Sequence, residues 1–170
     1  RPNMSGIDNG KIFTLRTVED TLKIHRFVRE QRPKSAAVIG GGFIGVEMAE
    51  NLSQLGMKVT VIEYSDHLMA PLDFDMACAV HAQMRRRGIE LKLSTAVTGF
   101  ETKGGSVVIH TASGEEMVAD MVLLAVGVTP DTDLAKRAGL ALGLRNSIVV
   151  NDRMETSVPD IYAVGDAVEV

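Results

Sequence analysis

A crowded run of glycines constrains this chain more than any other feature of its sequence. The segment AAVIGGGFIGVEMAENLSQLG (36–56) begins with four apolar residues, passes through three consecutive glycines and continues into a strongly helix-forming stretch that ends at Gly56. A second apolar, β-branched run follows as KVTVIE (58–63). Strand, glycine turn, helix and strand within about 28 residues predict a βαβ unit, and therefore two parallel strands.

The spacing of the glycines indicates a phosphate site. Gly40, Gly42 and Gly45 form a G-x-G-x-x-G pattern. The first glycine permits a tight turn, the second lets backbone amides approach a pyrophosphate, and the third lets the helix pack closely on the sheet. The pyrophosphate would lie at the helix N-terminus, where unpaired N–H groups and the helix dipole favour an anion. The motif is weak alone, but here it has the required strand before it and helix after it.

An acidic residue closes the second strand. Glu63 lies 18 positions after Gly45. A carboxylate at this place can accept both hydroxyls of an adenosine ribose, and it repels a 2′-phosphate. The alternative is a solvated glutamate at a strand end. Position and motif together favour the binding role, so the sequence predicts NAD(H) as the ligand in preference to NADP(H).

Two further residues lie near the start of the same helix. Phe43 and Glu47 are spaced i and i+4, so they share one helix face. On spacing alone, core packing best explains Phe43, and compensation of the helix dipole in the first turn best explains Glu47.

The remaining pattern extends this unit into an α/β fold. KIFTL predicts a strand, and a helix begins after Thr17, where Asp20 completes a pattern close to a capping box. A second amphipathic helix within 71–88 precedes the strand IELKLST. The segments AVTGFETK, SVVIHTAS and EMVADMVLLAV, joined by GG and SGEE, then predict a β-meander. We therefore predict a Rossmann-like dinucleotide-binding domain, with a parallel sheet and a three-stranded β-meander as the crossover.

Composition excludes several classes of protein. The 170 residues suffice for one well-buried domain or two small ones. No apolar run approaches the roughly 20 residues that cross a bilayer, so we expect no membrane segment. A net charge of −4 gives no reason to expect nucleic acid as a partner. The single cysteine, Cys78, cannot form an intrachain disulfide, which favours a cytoplasmic protein, and it reads as a small buried apolar residue.

The histidines do not suggest a metal centre. They fall in separate predicted elements without the spacing of metal ligands: His25, His67, His81 and His110. Cys78 and His81 lie three apart on a helix, but two ligands without partners make a poor site. We expect no bound metal.

Three longer segments resemble one family of enzymes. VIGGGFIGVEMAENLSQLGMKVTVIE, LLAVGVTPDTDLAKRAGL and TSVPDIYAVGDAVEV, in this order and spacing, resemble the FAD-dependent pyridine nucleotide-disulfide oxidoreductases. The resemblance covers essentially the whole chain, but only the NAD(P)H-binding domain of such an enzyme. EMAENL, MAPLDFDMA and YAVGDAVEV are most similar to the coenzyme A-disulfide reductase group, with the NADH oxidases and peroxidases as close neighbours.

The resemblance implies roles for individual residues. Phe43 matches an aromatic residue that covers the flavin until nicotinamide displaces it, and Glu47 matches a residue that holds the nicotinamide carboxamide. Gly127 matches a backbone position beside the nicotinamide half of the cofactor. The NAD-binding set implied is Gly40, Gly42, Phe43, Ile44, Gly45, Glu47, Glu63 and Gly127. Gly165 and Asp166, within YAVGD, match FAD-binding positions of the full-length protein.

The resemblance also implies missing parts. The ends of the sequence, which begins at Arg1 and stops in YAVGDAVEV, suggest a piece of a longer protein. No catalytic residue is expected in this chain, since the redox cysteine of the family would lie upstream of Arg1. We predict an N-terminal arm, strand and helix at 1–33, the NAD(P)H-binding domain at 34–150, and a segment at 151–170 that returns toward an FAD domain. A dimerisation domain would follow, and the parent enzyme would be a homodimer.

These implications lead to one main hypothesis and several alternatives. The main hypothesis is the NAD(H)-binding domain of a flavin-dependent reductase of coenzyme A disulfide, a persulfide or a polysulfide. An NADH oxidase or peroxidase of the same family is the nearest alternative. A stand-alone NADH-binding module and a dehydrogenase with its own substrate domain are less favoured. The isolated chain is predicted to bind NADH, to hold no FAD and to be inactive.

Overall fold

The structure, a computed structural model, describes residues 4–169, and these residues form two compact units that meet in sequence at Gly127 and Val128. Residues 1–3 of the predicted arm and residue 170 of the predicted C-terminal segment lie outside the described residues. Within the described range no helix is long and apolar enough to cross a membrane.

The first unit contains three helices and eight strands in its described residues. In chain order they are β1 (Ile12–Thr14), α1 (Val18–Gln31), β2 (Ser35–Ile39), α2 (Phe43–Gln54), β3 (Lys58–Ile62), α3 (Phe74–Arg86), β4 (Glu90–Lys92), β5 (Val97–Lys103), β6 (Ser106–Thr111), β7 (Glu116–Ala119) and β8 (Met121–Leu124). Five strands form a parallel sheet in the order β1-β8-β2-β3-β4, and β5, β6 and β7 form an antiparallel meander. The predicted α/β fold with a meander as crossover is confirmed.

Strand β2 shows how both faces of the parallel sheet are buried. Ala36 and Val38 belong to the apolar cluster that also contains helix residues such as Leu52. Ala37 and Ile39 belong to a second cluster, together with meander residues such as Val107. Side chains alternate between the two faces of a strand, so helices cover one face and the meander covers the other. This explains why β2 reads as an uninterrupted apolar run.

Helix boundaries follow the capping signals in the sequence. Thr17 Oγ1 accepts the amide of Asp20 at 3.3 Å, and Asp20 Oδ2 accepts the amide of Thr17 at 3.2 Å, which is a complete capping box. Gly56, the residue after the C-cap Leu55 of α2, has a φ of +85°, and its amide donates to the carbonyl of Ser53. A residue in this left-handed conformation commonly ends a helix.

The segment EMVADMVLLAV, predicted as one strand, is two. Its first part, β7, closes the meander, and its second part, β8, enters the parallel sheet between β1 and β2. Asp120 separates them: its amide donates to Ser35 Oγ at 3.0 Å, and its Oδ2 accepts the amides of Lys34 and Ser35 at 2.8 and 3.0 Å. These bonds tie the break to the start of β2, 85 residues away in sequence.

The N-terminal residues are packed onto the meander. Ser5 pairs with Gly99 as an isolated bridge, and the amide of Phe100 donates to the carbonyl of Ser5 at 2.8 Å. Ile7 is buried in the same cluster as the meander side chains. Strand β1 then joins the edge of the parallel sheet, so the described part of 1–33 contributes to the sheet itself. The domain limits at 33 and 150 remain a prediction.

The second unit, 128–169 in its described part, has little regular structure. It contains α4 (Asp133–Arg137), a 3₁₀ turn (Leu144–Asn146), and β9 (Ile148–Val149) paired in parallel with β10 (Val168–Glu169). Large apolar side chains remain exposed in it, among them Leu134 at 75% and Val164 at 73%.

Candidate functional site

A cleft opens at the carboxyl ends of three neighbouring strands of the parallel sheet. From β2 the chain moves to β3 on one side, whereas β8 lies on the other side of β2. A reversal of strand order of this kind leaves a crevice beyond the strand ends, where ligands of open α/β sheets bind. The cleft has a volume of about 410 Å³ and is lined by Met4 and by residues 39–42, 62–64, 95–97 and 125–127.

Two glycines bring the turn and helix α2 close to the sheet. Gly40 has a φ of +103°, which favours glycine, and a Cβ on it would overlap the carbonyl of Ala125. A Cβ on Gly45 would overlap the carbonyl of Gly40. Both overlaps are with backbone atoms, which cannot turn away as a side chain can. Gly40 and Gly45 are therefore required by the packing of the turn itself.

Gly42 differs from these two glycines. It is the N-cap of α2 with an ordinary φ of −75°, and a Cβ on it would meet nothing within 4 Å. No side chain caps the helix there, and the first turn carries no acidic residue. The uncompensated positive end of the helix dipole favours an anion. Packing within this structure does not require a glycine at 42. A ligand that approached the backbone closely at this point would require one.

Glu63 lies immediately after β3, half-buried in the wall of the cleft. Its Oε2 accepts the amide of Gly41 at 2.6 Å and its Oε1 accepts the amide of Ser65 at 2.7 Å. A carboxylate oxygen can accept more than one hydrogen bond, so both oxygens retain capacity for a ligand. The carboxylate is thus fixed in place by main-chain donors and still faces the cleft.

Gly41 is a residue that sequence reasoning missed. It occupies the variable position of G-x-G-x-x-G, yet its amide donates a hydrogen bond to Glu63 Oε2. A Cβ on it would overlap Leu68 Cδ2 and lie 3.3 Å from Glu63 Oε2. The sequence signal for this role was a glycine at 41, between the two glycines that the motif requires.

The loop that follows Glu63 contains His67 and also forms a hydrogen bond with His81. His67 Nδ1 lies 2.6 Å from Asp66 Oδ1, and this carboxylate raises the pKa of His67. The amide of Leu68 donates to His81 Nε2 at 3.0 Å. Burial, with Arg85 and His67 as weaker contributors, lowers the pKa of His81. Among the described residues no group of three His, Cys, Asp or Glu side chains could hold a metal ion.

Phe43, Ile44 and Glu47 lie at the exposed start of α2. Phe43 is 62% exposed, so core packing does not explain it. Glu47 is exposed and is the fifth residue of the helix, so it does not compensate the dipole in the first turn, which has no acidic side chain. Both expectations from spacing were wrong: Phe43, at the first helical position, precedes the turns that pack on the sheet, and Glu47 lies beyond the first turn.

The other predicted binding residues lie in two places. Gly127, with a φ of +74°, lines the cleft just beyond β8. Gly165 and Asp166 are exposed residues of the second unit. Cys78 was expected to be buried but is exposed. Ala77, His81 and Met84 are the buried residues of α3, so the adjacent Cys78 projects away from the core.

The fold and the glycine turn are those of a Rossmann-type domain of an oxidoreductase. The chain matches the model of the pyridine nucleotide-disulphide oxidoreductases over residues 1–170, and it belongs to this family. The resemblance inferred from the motifs is confirmed.

Similar proteins carry several activities. An NADH oxidase of Methanocaldococcus jannaschii is 39% identical, with 99% of this chain matching 38% of that protein. A coenzyme A disulfide reductase of Staphylococcus haemolyticus is 32% identical, over 98% of this chain and 37% of that protein. The crystal structure of reduced CoADR-RHD from Bacillus anthracis has a TM-score of 0.91 and 46% identity, covering 99% of this chain and 30% of that one. The chain thus spans well under half the length of these relatives.

Proposed function

We propose that this chain is the NAD(H)-binding region of a flavin-dependent disulfide reductase, acting on coenzyme A disulfide, a persulfide or a polysulfide. One observation carries the proposal: a carboxylate fixed by backbone donors stands beside an open helix N-terminus, in a cleft at the switch point of the sheet. This is the arrangement expected for an adenosine ribose next to a pyrophosphate.

The residues present fit a dinucleotide. Gly42 leaves open the space that a Cβ would fill, and the first amides of α2 are available to the pyrophosphate. Glu63 would accept the ribose hydroxyls with the capacity that Gly41 and Ser65 leave free. In the proposed binding set, Gly40 and Gly45 shape the turn, while Phe43, Ile44, Glu47 and Gly127 serve the nicotinamide half.

The charge around Glu63 favours NADH over NADPH. Its carboxylate would repel a 2′-phosphate. The segment after it reads YSDHL, without lysine or arginine, and its histidine is already beside Asp66. We therefore propose NAD(H) as the preferred ligand.

Nicotinamide, if bound here in the parent enzyme, would supply the hydride that reduces FAD. The role of this chain is to hold the reacting ring in place, since proximity and orientation supply much of the rate. Gly165 and Asp166 are proposed to contact FAD in the full-length protein. The redox cysteine, the rest of the FAD domain and the dimerisation domain would belong to other parts of a homodimeric parent. The exposed apolar side chains of the second unit are consistent with further protein packed there.

An NADH oxidase or peroxidase of the same family is the second candidate. It is supported by the 39% identity to the NADH oxidase of M. jannaschii, although the identity to the B. anthracis CoADR-RHD structure is higher, at 46%. The redox cysteine that would meet the acceptor is expected outside this chain, so both candidates require the same function of the cleft described above.

Isothermal titration of the chain with NADH and with NADPH tests the proposal. We expect NADH to bind more tightly than NADPH. We also expect the purified protein to show no flavin absorbance.

Gly42→Ala should leave the melting temperature unchanged but weaken NADH binding by about tenfold, because the methyl group occupies space left for the ligand. Gly10→Ala is the matched control, since Gly10 also has open space around it and lies outside the cleft. Equal weakening by both changes, or equal affinity for NADPH, would contradict the assignment.

A further inference from the structure

A loop outside the cleft holds the glycine turn from behind. The amide of Met69 donates to the carbonyl of Gly41 at 2.8 Å, and the side chain of Leu68 lies where a Cβ of Gly41 would be. The peptide units of Gly41 are therefore held on both sides, by Glu63 at the amide and by Met69 at the carbonyl. Met69 has a φ of +58°, an unfavourable conformation for a side chain of this size, which persists only where surrounding contacts impose it.

His81 fixes this loop at the residue before Met69. The amide of Leu68 donates to His81 Nε2 at 3.0 Å, and both residues are buried, His81 to 4% exposure and Leu68 completely. An imidazole nitrogen accepts a hydrogen bond only when it carries no proton, so His81 must be neutral with its proton on Nδ1. Protonation of Nε2 would remove the acceptor and leave the buried amide of Leu68 unpaired.

We propose that His81 is a positioning residue for the dinucleotide site: its unprotonated Nε2 holds the loop at Leu68, and the loop holds Gly41 and Glu63 in the geometry that binds the nucleotide. This inference rests on the proposed function of the cleft. It adds a residue of α3, remote from the ligand, and makes nucleotide binding depend on its protonation state.

The surrounding charges set the direction of the pH dependence. Burial favours the neutral form of His81 and lowers its pKa, and the nearby Arg85 and His67 act in the same direction. His67 is itself held by Asp66 and lies in the field of Glu63. Binding should therefore be intact at neutral and alkaline pH. It should fall as the pH drops below the ordinary histidine value of 6.5 through the lowered pKa of His81.

The test compares two substitutions of His81 in NADH titrations at about pH 8 and about pH 5. His81→Leu removes the acceptor and should weaken NADH binding by about tenfold at the higher pH. His81→Gln places an amide oxygen near the position of Nε2, and it should restore most of the affinity while abolishing the acid loss. His25→Gln, an exposed histidine on α1, should keep the affinity and pH profile of the unaltered chain. Equal impairment by Leu and Gln, or a normal affinity in a folded His81→Leu protein, overturns the proposal.

A second measurement without ligand separates this inference from the proposed function. In NMR spectra of the unaltered chain, the amides of Leu68 and Gly41 should titrate with the pKa of the His81 ring. Hydrogen exchange at Gly41 and Met69 should be faster in His81→Leu than in His81→Gln. If NADH does not bind at all, the proposed function fails while these amides still decide whether His81 holds the turn. If NADH binds and the amides do not follow His81, the present inference fails alone.

Discussion

Two carboxylates hold the backbone at opposite ends of strand β2, and they differ in what they leave unused. At the amino end, Asp120 accepts the amides of Lys34 and Ser35 through one oxygen and the hydroxyl of Ser106 through the other. At the carboxyl end, Glu63 accepts one amide on each oxygen and faces a cleft. Local hydrogen bonding is thus similar, whereas only Glu63 is placed where a ligand can approach.

This difference leads us to propose a structural role for Asp120 and a binding role for Glu63. Residues of both kinds are fixed by main-chain donors, so a list of hydrogen bonds alone does not distinguish them. The surroundings do: Asp120 joins the meander to the start of β2, and Glu63 stands beside the open N-terminus of α2. Substitution at Asp120 should therefore act on stability, and substitution at Glu63 should act on affinity.

The largest effect is expected from Asp120→Ala. It removes acceptors from two backbone amides and a serine hydroxyl, so the free energy of unfolding should fall by about 2–3 kcal/mol. Urea unfolding measures this loss, with the exposed Asp152→Ala as the control. NADH affinity of the folded protein should not change. A loss of affinity at unchanged stability would reverse the comparison with Glu63.

The sequence predicted the carboxyl-end site better than the amino-end junction. The strand, glycine turn and helix are adjacent in sequence, so their periodicity and the spacing of Gly40 to Glu63 are sufficient to predict them. Asp120 instead meets its partners 85 and 86 residues away, and nothing local in EMVADMVLLAV marks the change of sheet.

The sequence pattern also does not determine which side of helix α3 is buried. The segment of α3 around Cys78 is apolar on more than one side, so periodicity does not tell which of Ala77 and Cys78 is buried. Packing against the rest of the unit decides it in favour of Ala77. The same holds for Phe43, whose apolar character suggested the core although its position at the first turn leaves it exposed.

Glu63→Gln should have the next largest effect, and on binding. Glutamine retains an acceptor for one of the two amides and removes the negative charge, so we expect stability to fall by about 1 kcal/mol. NADH affinity should fall about tenfold, and discrimination against NADPH should relax, because the carboxylate no longer repels a 2′-phosphate. Titration with both nucleotides checks this, with the exposed Glu30→Gln as the control. Unchanged discrimination would assign Glu63 the same purely structural role as Asp120.

The smallest expected effect is a difference in acid stability. Desolvation acts to raise the pKa of Asp120, but hydrogen bonds from the amides of Lys34 and Ser35 and from the hydroxyls of Ser35 and Ser106 outweigh it, so the pKa lies below the ordinary value of 3.8. A lowered pKa contributes stability that is present above the unfolded-state value and is lost as the pH falls through the folded value. Asp120→Asn should therefore flatten the dependence of stability on pH below about 4, in unfolding curves collected across that range. A slope identical to that of the unaltered chain would mean that the ionised carboxylate contributes nothing to the junction. The two ends of β2 would then differ in position alone.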